Sequence, residues 1–480
     1  MDSMNLNIDV LHLILNRCGQ NTVSQVMKTC RFLNREGVQY LLSDVPIIRN
    51  EAQASSFVQF ALTTRQSADI AHRLDWMDSL HILAWDEEAK TVAEALKPFF
   101  LLVAPLAPNF SLLEVEVAEE FFAADPELTA SVASLTTLDV LTLNGAGEKT
   151  VKMLRALQSR LTDVTVHFDL ELGPSAPEDM DPVPCLIRSE DTLRCISLRF
   201  TISSPAAGCY RNVRMLTLDY IDGPTTRHFV QAFPNLRCLR ATECTARDGL
   251  DPDAVVQRKR DLNVAEQALN GSWSSLTSYK GSVFMLYALG LACPVSHVYV
   301  HDDESEGMDP RQIRAVLGDT RPLHLTIRAR GLEYILARAE DFMELCRRGE
   351  FQRLSSLRLN FRLWLGGWNL PDPEEVMNLI YDAIAPSPIP AITVLINISG
   401  VTAEPPSARQ PGVNEPPSIP SRVKLFLDSL DADAVADRLF TSNPSRCAVK
   451  VVLIRNWKKR VTVRRGNPES IIELDFDKCF

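Results

Sequence analysis

The stretch LDVLTLNGAGEKTVKMLRALQSRLTDVTV, residues 138–166, holds one unit of a pattern that recurs along most of the chain. It opens on L-x-x-L-x-L, whose alternating apolar positions suit a strand buried on one face. Val151, Leu154 and Leu157 follow at helical spacing, and a second strand-like run, LTDVTV, closes the unit. Strand, turn, helix and return describe a chain that keeps adding parallel strands to one sheet.

After a short β-like stretch, VPIIR at Val45, the same run appears as LHILAW, LLEVEV, LRCISL, VRMLTL, LRCLRA, LTSYKG, VSHVYV, LHLTI, LSSLRL, ITVLINI, VKLFL at Val423 and VKVVL at Val449. From Leu80 onward the starts recur about every 28 residues, within the range of leucine-rich repeats. The steps vary from about 17 to about 40 residues, so the array is irregular. The expected fold class is therefore α/β: short parallel strands and helices stacked as a leucine-rich-repeat-like solenoid. A doubly wound α/β domain is the competing architecture, but the strands are many for one open sheet.

Outside this body lies a helical head. Leu11, Ile14, Leu15 and Cys18 fall at i, i+3, i+4 and i+7, the face of a helix that Asn7 can cap and Gly19 can end. Asn21 can start a second helix carrying Val23, Val26 and Met27. The third is expected from about Cys30 to Leu42, with Gly37 as its weak point. Three helices this short bury too little surface to be stable alone, so the head needs a partner, the body, or both.

The residues of the head resemble an F-box. Leu6-Asn7-Ile8-Asp9-Val10-Leu11 and Ile14-Leu15-Asn16-Arg17-Cys18 follow the opening L-P-x-E-[ILV]-[ILV] and its continuation. Val23, Val26, Thr29, Cys30, Arg31, Phe32 and Leu33 follow the later part. Asn7 stands where the family prefers proline, and Asp9 where it prefers glutamate. The resemblance implies docking on the Skp adaptor, and through it on a cullin, by Leu6, Val10, Leu11, Ile14, Leu15, Val23, Val26, Cys30 and Phe32. The repeat body would then hold an unidentified target protein for ubiquitin transfer. A helical cap on a scaffold unconnected with ubiquitin is the other reading these residues allow.

The chain divides accordingly into a head (1–44), a connecting segment (45–79), the repeat body (80–402), a proline-rich loop (403–420) and terminal repeat units with a basic tail (421–480). A net charge of −11 argues against duplex nucleic acid as a main partner. Eleven cysteines without a C-x-x-C pair suit reduced thiols, and the N-terminus has no signal-peptide pattern. No run is long and apolar enough for a membrane span, so the expected location is cytoplasm or nucleus.

The chemical motifs are weak. Around Gly145–Thr150 the sequence mimics a phosphate loop, but Glu148 separates Gly147 from Lys149 where the Walker pattern requires Gly-Lys. His297 and His301 would lie about 13 Å apart on a strand, too far to share one ion. Cys238 and Cys244 read as packing thiols. No catalytic residue, cofactor or metal is expected. Acidic residues gather at Glu114, Glu116, Glu119, Glu120, Asp125 and Glu127, and again from Asp302 to Asp309. From Arg446 to Arg465 the chain is basic. That segment suits an acidic partner or RNA, or a charged sheet edge; with Trp457 its only aromatic, the edge role fits better.

Overall fold

The structure is a computed structural model. It describes residues 8–42, 45–65, 75–102, 104–169, 180–205, 208–221, 224–242, 252–301, 309–329, 344, 351–362, 373–384, 387–398, 426, 429–443, 446–455 and 458–465. Two compact units divide it: Met1–Thr217 with Gln231–Asn235, and Leu218–Val230 with Leu236–Phe480.

The first unit begins with helices α1 (Ile8–Leu15), α2 (Gln20–Met27) and α3 (Arg31–Leu42). Strand β1 (Ile47–Ile48) and helix α4 (Glu51–Arg65) lead to β2 (Ser79–Ile82), α5 (Asp86–Leu102), β3 (Leu112–Val115), α6 (Ala118–Ala123) and α7 (Pro126–Ala133). Then come β4 (Val140–Ala146), α8 (Glu148–Ala156), β5 (Asp163–Phe168), β6 (Cys195–Arg199) and the start, to Thr217, of β7 (Met215–Asp219). Strand order follows chain order, and β1 to β6 pair in parallel. Each strand buries alternate residues: Leu141 and Leu143, Val164 and Val166, Ile196 and Leu198. They are joined in the core by Phe99, Phe100, Phe121 and Phe122, whose rings meet edge to face.

The turns entering the strands repeat as well. Asp139 O accepts from Thr162 N (2.7 Å) and Asp163 N (3.1 Å), and Thr162 O accepts from Arg194 N (2.7 Å) and Cys195 N (3.2 Å). Two buried serines satisfy the remaining backbone there: Ser159 Oγ accepts from Leu138 N (3.2 Å), and Ser189 Oγ from Leu161 N (3.0 Å). The period seen in the sequence is thus a period of hydrogen bonding.

The second unit carries α9 (Thr226–Ala232, to Val230), β8 (Cys238–Ala241), α10 (Pro252–Asn270), β9 (Leu276–Ser282), α11 (Val283–Leu289), β10 (Val295–His301), α12 (Pro310–Thr320) and β11 (His324–Ala329). It continues with β12 (Ser356–Arg362), α13 (Pro373–Ile384), β13 (Ala391–Asn397), α14 (Ala432–Thr441), β14 (Ala448–Arg455) and β15 (Lys458–Arg465). Strands β8 to β14 pair in parallel and in chain order, and β15 closes the order antiparallel to β14. The same entry turn recurs: Leu323 O accepts from Ser355 N (2.8 Å) and Ser356 N (3.2 Å). A doubly wound sheet must reverse its strand order at a switch point. Neither unit does, which removes that alternative.

Three sequence expectations need correction. Helix α1 ends at Leu15, and Gly19, placed there as its stop, is instead the N-cap of α2, displacing Asn21 from that role. Of the run VKLFL only Phe426 is described, and it is helical rather than extended; Val423, Lys424, Leu425 and Leu427 lie outside the described residues. The basic tail segment, in contrast, contains the strand β15. The proline-rich stretch 403–420 lies outside the described residues.

Candidate functional site

Helices α1 and α3 of the head are tied by a polar contact, with His12 Nδ1 lying 2.7 Å from Tyr40 Oη. Burial raises the Tyr40 pKa, and the charge of Glu36 adds to the effect. Helices α2 and α3 meet at Gly37. A Cβ there would lie 2.3 Å from Met27 Cγ, so the residue that weakens the helix locally also lets its neighbour approach.

The head's apolar residues then separate into two sets. Leu15 (2% exposed), Val23 (0%) and Leu42 lie in its interior. Ile8, Val10 (45%), Leu13 and Ile14 (49%) are exposed. Of the residues expected to meet an adaptor, Val10, Ile14 and Cys30 are exposed, and Leu11, Val26 and Phe32 half-buried. Leu15 and Val23 are core side chains, and Leu6 lies outside the described residues. An exposed apolar row on a short helix costs solubility unless something covers it.

The first acidic cluster resolves into structural roles. Asp125 accepts from Glu127 N (2.7 Å) and Leu128 N (3.3 Å), capping α7, and Lys97 Nζ lies 2.6 Å from its other oxygen. The lysine's hydrogen bond is the main cause holding the Asp125 carboxyl below its usual pKa. Glu119 accepts from Lys149 N (2.9 Å) and from Thr150 N and Oγ1 (both 3.1 Å). It therefore occupies the helix start that resembled a phosphate loop, with the negative charge such a terminus favours. Asp309, from the second cluster, caps α12 by accepting from Arg311 N (2.9 Å). Asp302 and Asp303 lie outside the described residues, as does Cys244.

Glu114 and Glu116 converge with His81, which the sequence reading passed over. The imidazole Nε2 lies 3.6 Å from an oxygen of each, and Asn144 Nδ2 donates to Glu116 across 3.0 Å. One imidazole and two carboxylates are donor types that a divalent cation accepts, and their ligand atoms lie within 4.8 Å of one another. The signal was available: in LHILAW and LLEVEV all three occupy the strand face opposite the buried leucines. In the second unit, His297 stacks on His324 of the next strand at 4.5 Å rather than approaching His301.

The strands of the second unit hold a further feature. None of β8 to β15 contains an aspartate or glutamate, whereas Arg240, Lys280, Arg328, Arg358 and Lys450 alternate with their buried residues. In β15 the other face is basic, and it is matched from α14: Arg460 approaches Asp433, and Arg464 approaches Asp437 and lies 3.3 Å from Asp433. These hydrogen bonds hold both aspartates below their usual pKa.

No family model matches the chain, and no curated protein matches it. Among the described residues no helix is long and apolar enough to cross a membrane.

Proposed function

We propose that this chain is a substrate-recruiting subunit of a Skp-cullin-F-box ubiquitin ligase. The head docks on the Skp adaptor, and a leucine-rich-repeat body, residues 80–402 with the terminal strands, holds the target. The observation carrying this reading is the exposed apolar face of Val10, Leu13 and Ile14 on α1, in the segment whose residues resemble an F-box. A helix serving only as a cap on the body would turn such a face inward. Sequential parallel strands supply a broad, rigid surface for a target, and the chain itself needs no catalytic group.

Co-expression with the Skp adaptor tests the proposal. The wild-type chain retains the adaptor through purification, and Val10→Asp with Ile14→Asp loses it without a change in melting temperature, because both side chains are exposed. Equal recovery of the adaptor by both proteins would refute it.

A further inference from the structure

On the face of the second unit's sheet opposite its buried leucines and valines, one row runs strand to strand in register. It reads Arg240, Lys280, Tyr299, Thr326, Arg358, Thr393 and Lys450, each pair hydrogen-bonded neighbours in the ladder. Arg328 stands two residues along β11 from Thr326, on the same face. Among the described residues Arg240, Arg328, Arg358 and Lys450 have no carboxylate partner, and Arg358 Nε is buried without a hydrogen bond. A buried guanidinium nitrogen left unpaired is unfavourable, and like charges arrayed on one face repel. Elsewhere this chain matches such cations, as α14 does for Arg460 and Arg464. Among the described residues, the strands that form this face carry no aspartate or glutamate, although the chain's net charge is −11.

We infer that this sheet face binds an acidic, extended peptide segment of the recruited protein, with carboxylates meeting Arg240, Arg328, Arg358 and Lys450. Six strand spacings separate Arg240 from Lys450, about 29 Å, which an extended peptide of about nine residues spans. Arginine forks suit carboxylates, and a half-buried site strengthens the pairing. Single-stranded nucleic acid fits less well. It binds by stacking on aromatic platforms, and the aromatic ring in this row, Tyr299, already lies under the Lys280 ammonium at 5.5 Å. The inference rests on the proposed function only in that the peptide belongs to a recruited protein; the binding itself is independent of the head.

Fluorescence anisotropy with the full-length chain decides it, using a labelled ten-residue peptide of alternating glutamate and serine. The expected result is saturable binding that weakens with salt, and at least a tenfold loss of affinity in Arg240→Glu with Lys450→Glu. Val10→Asp with Ile14→Asp, which tests the head, leaves peptide binding unchanged, so failure of one idea is distinguishable from failure of the other. Circular dichroism melts confirm that the variants fold; if the double variant melts early, Arg240→Gln alone, at an exposed position, serves in its place with a smaller expected loss. Equal binding of the peptide by wild type and variant, equal binding of the lysine-serine counterpart, or tighter binding of a ten-residue thymidine strand would each overturn the inference.

Discussion

Glu119 holds Thr150 by two hydrogen bonds, one from its backbone nitrogen and one from its hydroxyl, both 3.1 Å long. A carboxylate on α6 thereby caps α8 in the next repeat. Glu119→Ala removes the cap and leaves the first amides of α8 unpaired, and we expect a loss of about 1–2 kcal/mol. Denaturant unfolding measures it. Glu119→Gln, which keeps an acceptor and loses the charge, should fall between the two.

Asp433 and Asp437 join α14 to β15 through arginines that lower both carboxyl pKa values. A depressed folded-state pKa contributes stability above the unfolded value of about 3.9, and loses it as pH falls through the folded value. The packing of β15 against α14 should therefore loosen below about pH 4. Hydrogen exchange along β15 reads this, and Asp437→Asn should loosen the strand already at neutral pH.

His324 behaves oppositely to a stabilised cation. Burial, and then the adjoining His297, lowers its pKa. Below about pH 6.5 the unfolded chain binds more protons than the folded one, so stability should fall as pH drops from 7 to 5. His324→Asn should flatten that part of the melting-temperature profile.

Gly281 of β9 passes so close to Ala241 of β8 that a Cβ on it would lie 1.7 Å from the Ala241 carbonyl oxygen. Tyr279 Oη donates to the same oxygen at 3.1 Å. Gly281→Ala must push the strands apart and strain that bond, and a loss of about 3 kcal/mol is expected in thermal unfolding.

Much of this architecture was legible because the strands of the body alternate cleanly. In LRCISL, Ile196 and Leu198 are buried and Ser197 is not, and that alternation sets both the strand and its face. Strand β15 was harder to see, since KKRVTVRR reads as a charged tail until α14 supplies its acids from 27 residues away. The apolar spacing of α1 was visible, but spacing alone does not say which apolar residues turn outward. Packing divides Leu15 from Ile14. The row of cations on the second unit's sheet was hidden for a different reason, because its residues lie far apart in sequence and align only through strand register.

Calorimetric titration of the purified Skp adaptor into the full-length chain tests the central claim most directly. The account predicts saturable one-to-one binding that Ile14→Asp abolishes while the fold persists. Absence of binding by the wild-type chain, or binding that Ile14→Asp leaves unchanged, would contradict it.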